Sequence, residues 1–338
     1  MNPSPTAESR IFALSRFFGH TNQKRLGVSV KKLYIIAGPT ASGKTAVAVA
    51  LAKQLGGEVV SADSMQIYVG MDIGTAKPTM QEQEGIPHHM IDIVKPDQQY
   101  SAALYQQQAR KIIADIHARG RVPILCGGTG FYINGVLYDV KFAKDEEEGH
   151  PADMATREYL VNLAAEHGSE KLHAMLQEAD PVAAMAVHHN NVKRVSRALS
   201  YIQTTGLLFS EYNAQQKEQL PIYDAVFCRL SVDRQVLYSR INARAGAMFD
   251  AGLIDEVAGL MTKGYHPRLT SMQGIGYKEV VQYIQGQYTQ ADAIKAVKQN
   301  SRRYAKRQET WFKNQSPNAL VVPAEGTAAD IARAIVEN

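Results

Sequence analysis

A glycine-rich segment of eight residues has the clearest chemistry in this sequence. It follows the apolar run 33–37 and precedes a stretch rich in alanine and valine. The spacing G-x-x-x-x-G-K-[ST] is typical of a loop whose backbone amides surround phosphate groups at the start of a helix. The eight residues are Gly38, Pro39, Thr40, Ala41, Ser42, Gly43, Lys44 and Thr45. The segment predicts a site for a diphosphate or a nucleotide, with Lys44 on the phosphates and Thr45 as a ligand for Mg²⁺.

A carboxylate beside this loop would decide which reaction follows. The later apolar segment RVPILCGGTG ends in two glycines and Thr129 and carries no acid, unlike the corresponding strand of a motor or switch ATPase. Asp63 instead follows the second predicted strand. In a small-metabolite or nucleoside kinase, Asp63 would accept a proton from a hydroxyl. A transferase that holds a diphosphate leaving group would use the same loop, and the motif alone leaves both classes open.

The elements that must position these residues alternate between strand and helix. Their predicted ranges are 32–37, 58–62 and 121–126 for strands, and 43–55 and about 101–119 for helices. This alternation predicts an α/β fold, in which a parallel sheet containing the phosphate loop (P-loop) is flanked by helices. The segment at 223–232 alternates as a strand does and is predicted to return the chain to that sheet.

A charged segment without periodicity, 141–150, is followed by a helical pattern. Asp180 before Pro181 has the form of a helix N-cap, and Asn191 begins a helix that ends at Gly206. This pattern indicates an all-helical insertion domain. The predicted domains are a P-loop catalytic core at 31–145 and 220–325, the insertion at 146–219, and a disordered extension at 1–30.

Composition excludes several classes of protein. Of the 338 residues, 45% are hydrophobic, and no apolar run reaches the length of about 18 residues that a membrane helix needs. The two cysteines are far apart, so neither a disulfide framework nor a cysteine zinc site is expected, and a cytoplasmic setting fits. The doublets His88-His89 and His188-His189 are not expected to bind metal, because adjacent side chains point apart.

Seven segments, in order, resemble the tRNA isopentenyltransferase family. They are GPTASGKT, SADSMQIYVGMDIGTAKP, IPHHMID, YSAALYQQQAR, PILCGGTGFY, GIGYKE and YAKRQETWF. The resemblance implies that the five-carbon unit of dimethylallyl diphosphate is transferred to the exocyclic amine (N6) of the adenine just 3′ of the anticodon. The tRNAs would be those that read codons beginning with U, and diphosphate would be released. The sequence ends without the C-terminal zinc finger of some eukaryotic members, so a bacterial-type enzyme is expected.

Two alternatives remain beside this function. A related group prenylates free adenine nucleotides and shares the early segments, and a metabolite kinase would use the same P-loop. The helical insertion and a basic last helix favour a tRNA substrate, because neither is needed for a free nucleotide. That helix, at about 293–313, carries seven Lys or Arg residues against one acid. Its other face, with Tyr304 and Trp311, is predicted to pack on the core.

The resemblance also implies roles for individual residues at the reacting centre. Asp63 would hydrogen-bond the amine and accept its proton, and Thr129 would face the reacting centre and donate to the departing oxygen. Lys44, with Mg²⁺ on Thr45, would stabilise the charge on that oxygen. Arg244 is predicted to hold the diphosphate from a lid. The residues expected to line the adenine pocket are Ser64, Met65 and Gln66.

Other residues are predicted to hold the RNA. Lys193, Arg194 and Arg197 share one side of a predicted helix, opposite an apolar stripe, and the resemblance favours tRNA contact over a solvated face. The further candidates are Arg157, Gln273, Gly274, Gly276, Tyr277 and Lys278, with Tyr277 expected to stack on a base and Lys278 to contact a phosphate. The expected partners are a tRNA anticodon stem-loop and dimethylallyl diphosphate, with no membrane, and a monomer is expected.

Overall fold

Six parallel strands form one sheet in the computed structural model, which describes residues 31–140, 151–215 and 220–337. The strands are β1 (Lys32–Ala37), β2 (Gly57–Ser61), β3 (His88–His89), β4 (Val122–Gly127), β5 (Asp224–Ser231) and β6 (Leu320–Pro323). Their order across the sheet is β3-β2-β4-β1-β5-β6. The four predicted strands are confirmed, and the last of them, β5, pairs with β1 as the predicted return to the sheet requires.

Strands β2, β4 and β1 are neighbours, so their carboxyl ends meet at one edge of the sheet. In the pairing register, Ala37 at the end of β1 lies beside Gly127 of β4, and Ser61 at the end of β2 lies beside Cys126. The P-loop follows β1, Asp63 follows β2, and Thr129 follows β4. This edge is where ligands bind to open parallel sheets, and the fold brings three distant segments together there.

Helices make up most of the remaining structure. They are α1 (Lys44–Leu55), α2 (Met80–Gln83), α3 (Ala102–Ala118), α4 (Gly130–Leu137), α5 (Pro151–His167), α6 (Ser169–Ala179), α7 (Pro181–Ala186), α8 (Val192–Thr205), α9 (Phe209–Gln215), α10 (Arg234–Asp250), α11 (Leu253–Thr262), α12 (Tyr277–Ile284), α13 (Gln290–Gln315) and α14 (Ala328–Glu337). Over the residues described, none of these helices is both long and apolar enough to cross a membrane.

The chain divides into two compact units. The first is formed by residues up to Asp97, by Lys111–Ile133 and by residues from Ile222 onward, and it contains the whole sheet. The second is formed by Gln98–Arg110 and Asn134–Pro221. The described part of the predicted insertion therefore belongs to the second unit, which also takes in earlier residues. The predicted extension at 1–30 and the charged segment at 141–150 lie outside the described residues.

The second unit is helical, and its helix ends follow the predicted capping. The side chain of Asp180 accepts a hydrogen bond from the backbone amide of Ala183, with Pro181 in the first turn of α7. Asn191 caps α8 in the same way, and α8 ends at Gly206. The core of this unit is apolar and includes Leu160, Leu172, Leu176, Val195, Leu199 and Phe209. The predicted apolar stripe of α8 thus faces this core.

Candidate active site

The P-loop lies between β1 and α1, where the motif requires it. Its backbone turns at Gly43, whose φ of 86° lies in the left-handed region, and α1 begins at the next residue. Lys44 Nζ donates a hydrogen bond to the carbonyl oxygen of Pro39 at 2.7 Å, so the ammonium folds back over the loop. The hydroxyl of Ser42 is buried and has no hydrogen-bond partner among the described residues. A buried hydroxyl without a hydrogen-bond partner destabilises the folded protein, and a phosphate oxygen bound in the loop would accept the missing hydrogen bond.

Two cations lie at this loop. Desolvation by the surrounding protein lowers the pKa of Lys44 to about 8, although the charge of Asp63 opposes that shift. Arg244 of α10 donates a hydrogen bond to Thr40 Oγ1 at 2.6 Å. Its side chain is exposed, but the protein around the guanidinium lowers its pKa by desolvation, again against the charge of Asp63. The charges of Asp63 and Glu82 oppose the effect of desolvation on Arg244 but do not reverse it, and a bound anion would stabilise the charged form of both cations.

Asp63 and Thr129 are joined through the turn that follows β2. Asp63 Oδ1 accepts a hydrogen bond from the amide of Met65 at 2.9 Å, which fixes the turn. The amide of Ser64 donates to Thr129 Oγ1 at 3.0 Å, and the amide of Thr129 donates to the carbonyl oxygen of Ala62 at 3.1 Å. Asp63 Oδ2 makes no hydrogen bond within the described part of the chain. One carboxylate oxygen is therefore held in place while the other can receive a substrate group.

Helix α13 contributes two side chains to the same site. Gln308 is 6% exposed; its Oε1 accepts from the amide of Thr40 at 2.8 Å, and its Nε2 donates to the carbonyl oxygen of Gly128 at 3.0 Å. Thr129 and Gln308 lie near the hydroxyl of Tyr304 and lower its pKa, but burial has the larger, opposite effect. Burial raises the pKa of Tyr304 to about 12, and the nearby charge of Asp63 adds to this. The helix thus connects the P-loop to the turn after β4.

These two residues have only a weak signal in the sequence. They are four residues apart in the segment YAKRQ, so both lie on one face of α13. The cations in the same segment, however, indicate RNA binding. Tyr304 was predicted only as a core contact, and Gln308 was not predicted at all. The outer surface of α13 is basic as predicted: Lys295, Arg303, Lys306, Arg307 and Lys313 are exposed, while Lys298 and Arg302 are half-buried.

Glu256 of α11 holds the loop that follows the predicted adenine pocket. Its carboxylate accepts hydrogen bonds from three consecutive amides, those of Asp72, Ile73 and Gly74, at 2.8 to 3.2 Å. The hydroxyl of Tyr277 donates to the same carboxylate at 2.6 Å. A Cβ added at Gly74 would lie 2.5 Å from the Tyr277 ring, so only glycine allows this approach. The loop is therefore attached to α11 and α12 by a single carboxylate.

The predicted stacking role of Tyr277 has to be corrected for this reason. Its side chain is 0% exposed, and its ring packs on Gly74 instead of facing solvent. A ring in this position cannot stack on an RNA base without leaving the protein core. Gly274 has a similar packing role, because a Cβ there would lie 2.4 Å from Cε of Met65. Gly274 and Tyr277 of the QGIGYK segment therefore support the predicted adenine pocket through their packing.

The other members of the predicted pocket and of that segment differ in accessibility. Gln66 Oε1 accepts from Ser61 Oγ at 3.0 Å, and its Nε2 donates to the carbonyl oxygen of Ala76 at 3.2 Å, so this amide already holds the loop. Gln273 Nε2 donates to the carbonyl oxygen of Pro267 at 2.7 Å. The remaining residues are Ser64, Met65 and Lys278, which are partly exposed, and Gly276, which is buried at the start of α12. The predicted base contact of Gln66 stays a prediction, and it would need some of these bonds to break.

In the second unit, the predicted RNA-binding side chains lie on α5 and α8. Lys193 and Arg194 are exposed in the first turn of α8. Arg197 is half-buried, with its guanidinium carbon 5.9 Å from the centre of the Phe209 ring. Arg157 of α5 is also half-buried. Lys193 and Arg194 are therefore the more available contacts for a phosphate backbone.

The described residues offer few ligands for a metal ion. They contain no group of three or more His, Cys, Asp or Glu side chains placed to hold one. His89 Nε2 pairs with the carboxylate of Glu58 at 2.7 Å, and His88 Nδ1 pairs with the carbonyl oxygen of Ile86 at 2.8 Å. Thr45, half-buried in the first turn of α1, fits Mg²⁺, which needs only one or two protein oxygens when phosphates and water complete its coordination.

Comparison with known proteins gives a consistent result. A protein-family model described as IPP transferase matches residues 66–315. A tRNA dimethylallyltransferase of Geobacillus thermodenitrificans is 49% identical over 287 residues, which are 85% of this chain and 89% of that protein. The crystal structure of a full-length tRNA isopentenylpyrophosphate transferase from Bacillus halodurans matches 91% of this chain and 95% of its own, with 43% identity and a TM-score of 0.67. A eukaryotic dimethylallyltransferase, solved acting on tRNA, matches 87% of this chain and 74% of its own, with 29% identity and a TM-score of 0.74.

Proposed function

The chain belongs to the IPP transferase family, and from this premise we propose that it is a tRNA dimethylallyltransferase. It transfers the dimethylallyl group from dimethylallyl diphosphate to N6 of the adenine just 3′ of the anticodon, in tRNAs that read codons beginning with U. The products are prenylated tRNA and diphosphate. The bond between the allylic carbon and the diphosphate oxygen breaks, a bond from that carbon to N6 forms, and one proton leaves N6.

The observation that carries this proposal is the meeting of Lys44, Arg244 and Asp63 at one edge of the sheet. The two cations suit a diphosphate, and the carboxylate suits a proton acceptor beside it. A kinase would need the diphosphate to stay on the nucleotide while one phosphoryl group moves. A prenyltransferase needs only that the whole diphosphate be held while it departs, and the two cations and the P-loop amides serve that purpose.

Departure of the diphosphate is the step that the P-loop would assist. Negative charge builds on the oxygen as the carbon–oxygen bond breaks, and donors fixed in advance stabilise that charge without reorganising. Lys44, the hydroxyl of Ser42, the loop amides and Arg244 are such donors. Thr45 would hold Mg²⁺ with the diphosphate, and the ion would supply further positive charge to the same oxygens. Thr129, which is linked to the turn at Asp63 through the amide of Ser64, would donate a hydrogen bond to the departing group.

The adenine amine is a weak nucleophile, because its lone pair is delocalised into the ring. Attack on the allylic carbon therefore requires a group that takes up the amine proton. Asp63 Oδ2 fits this role, since Oδ1 is already held by the turn. A base in an RNA loop must be extruded to reach such a site. Ser64 and Met65, which follow Asp63 and are partly exposed, would contact that base.

The tRNA would be held mainly through its phosphates. The exposed cations of α8 and the basic surface of α13 supply contacts that a free nucleotide would not need. All residues placed at the reacting centre come from one unit of one chain, so we expect a monomer to be active, and size-exclusion chromatography with an activity profile would test this. We place the reaction in the cytoplasm, with its tRNA substrate.

Mass spectrometry tests the proposed reaction directly. The protein is incubated with dimethylallyl diphosphate, Mg²⁺ and unmodified tRNA, and the digested RNA is examined for prenylated adenosine at the expected position. Parallel reactions contain AMP in place of tRNA, or ATP and nucleosides without a prenyl donor. Prenylation of tRNA, and not of AMP, is the expected result. Efficient prenylation of AMP would favour the free-nucleotide enzyme, and phosphoryl transfer without prenyl transfer would establish a kinase.

A further inference from the structure

The carboxylate of Glu256 on α11 makes contacts that the proposed chemistry has not used. Its Oε2 accepts hydrogen bonds from the amides of Asp72 and Ile73 at 2.9 and 2.8 Å, and its Oε1 accepts from the amide of Gly74 at 3.2 Å. Successive backbone amides directed at one anion form a concave anion site. Here a side chain of the same chain occupies that site, so it fixes the loop backbone at three consecutive positions.

Tyr277 adds to this contact from the start of α12. Its hydroxyl donates a hydrogen bond to Oε1 of Glu256 at 2.6 Å, and its ring packs on Gly74, where a Cβ would lie 2.5 Å from the ring. A hydrogen bond to a carboxylate is stronger than one between neutral groups. The carboxylate therefore has four donors, three from the loop and one from α12.

The other end of the loop is bound to the turn that carries Asp63. The carbonyl oxygen of Ala76 accepts a hydrogen bond from Nε2 of Gln66 at 3.2 Å, and the amide of Ala76 donates to the carbonyl oxygen of Ile73 at 3.0 Å. Ala76 has a φ of 49°, a left-handed conformation that a residue other than glycine keeps only when its surroundings hold it. Gln66 Oε1 accepts from Ser61 Oγ at the end of β2 at 3.0 Å. The loop thus joins α11 to the turn that follows β2.

We infer that Glu256 is a positioning residue for the acceptor base: through the amides of residues 72–74 and the bond between Ala76 and Gln66, it keeps the turn at 63–66 in the arrangement that receives the adenine. This inference rests on the proposed function, because it names the group that shapes the acceptor side of that reaction. The donor diphosphate is held by the P-loop, and the tRNA is held mainly through its phosphates. Loss of this carboxylate should therefore slow transfer without weakening the binding of either substrate.

The substitution Glu256→Gln tests the inference, because it keeps the size of the side chain. One end of an amide is a hydrogen-bond donor, so two of the four groups that donate to the carboxylate lose their acceptor. The single-turnover rate of prenyl transfer, with both substrates saturating, is expected to fall about tenfold or more, the effect of losing a hydrogen bond to a charged group. The rate is expressed per donor-binding site, so that misfolded protein does not lower it. The dissociation constants of tRNA and of a non-reactive donor analogue are expected to stay unchanged.

Glu58→Gln is the matched control. Glu58 is a buried carboxylate of the same unit, bound by Arg119 at 2.9 Å and by His89 at 2.7 Å, but it lies near the start of β2, whereas Asp63 follows the end of that strand. This variant should unfold at a lower urea concentration and leave the rate of transfer per site unchanged. Tyr277→Phe keeps the ring on Gly74 and removes one bond to Glu256, so its rate should fall less, by about threefold.

A double substitution separates positioning from a general loss of structure. In a Gln66→Ala background the loop is no longer bound to the turn, so Glu256→Gln should cause no further loss of rate. The inference would be overturned by an unchanged rate in Glu256→Gln, by a full additional loss in the Gln66→Ala background, or by an equal loss in Glu58→Gln, and the proposed function would stand in each case. If the wild-type protein prenylates no tRNA, the proposed function fails and the inference fails with it.

Discussion

The pKa of Lys44 makes the affinity for the donor depend on pH above neutrality. Desolvation lowers this pKa to about 8 in the protein without its ligand. A bound diphosphate would place negative charge beside the ammonium and return its pKa toward the ordinary value of 10.5 or above it. Because the complex then holds a proton more firmly than the free protein does, the donor should bind less tightly as pH rises past about 8.

The size of this effect follows from the two protonation equilibria. At about pH 7 Lys44 is charged in both states, so the affinity has its full value. At about pH 9 roughly nine-tenths of the free protein has lost the proton, while the complex has kept it. The dissociation constant should therefore rise about tenfold between these values, which corresponds to about 1.4 kcal/mol. The second ionisation of a terminal phosphate, near pH 6, lies below this range and does not contribute.

Calorimetric titration with a non-reactive thiolodiphosphate analogue of the donor measures this dependence. The titrations would run from about pH 7 to about pH 9.5 at constant ionic strength, with and without Mg²⁺. Lys44→Arg is the control, because a guanidinium stays charged throughout the range. Its affinity can differ from that of the wild type, but its pH dependence should disappear. A flat profile for the wild type, or the same slope in Lys44→Arg, would refute the assignment of the titrating group.

Three further substitutions test the remaining parts of the site. Asp63→Asn keeps the shape but cannot take up a proton, so single-turnover transfer should fall about 10²–10⁴-fold; binding of donor and tRNA should persist, and a fast variant would exclude Asp63 as the base. Lys193→Ala combined with Arg194→Ala should lower the slope of log affinity for tRNA against log salt by roughly 1 to 2, with donor binding unchanged; loss of donor affinity instead would contradict the RNA role. Gln308→Ala removes two hydrogen bonds to backbone groups, so the free energy of unfolding measured in urea should fall by about 1–3 kcal/mol, and unchanged stability would contradict its structural role.

The sheet and its functional edge were predictable because local patterns determine them. A buried parallel strand is a short apolar run, and the P-loop motif fixes where one strand ends and a helix begins. Asp63 and Thr129 were found because each follows such a run. Their proximity followed from the rule that ligands gather at the carboxyl edge of a parallel sheet. Helix caps at Asp180 and Asn191 were likewise visible as single residues in front of apolar periodicity.

The partners of individual side chains were not predictable from the same patterns. Glu256 is one of two acids on α11, and nothing in its neighbourhood in the sequence indicates that three amides of a loop 182 to 184 residues away will bind it. Gln308 stands among cations that suggest RNA binding, yet its amide is buried against the P-loop. Such contacts depend on how α11 and α13 pack against α10 and α12, and that packing is a property of the whole unit.

Tyr277 shows why a recognisable sequence segment does not by itself identify a ligand contact. The segment GIGYKE contains the glycines and the aromatic residue that an RNA-binding loop would use, and the same residue types also suit a tightly packed loop support. Burial decides between these roles: the Tyr277 ring is enclosed against Gly74, and its hydroxyl is bound to Glu256. Asp63, in contrast, keeps Oδ2 without a hydrogen bond among the described residues, and the Lys44 ammonium, which donates to Pro39, has two further hydrogens for a ligand. Residues that act on the substrate and residues that hold its pocket thus look alike in sequence, and only the bonds their side chains have already made distinguish them.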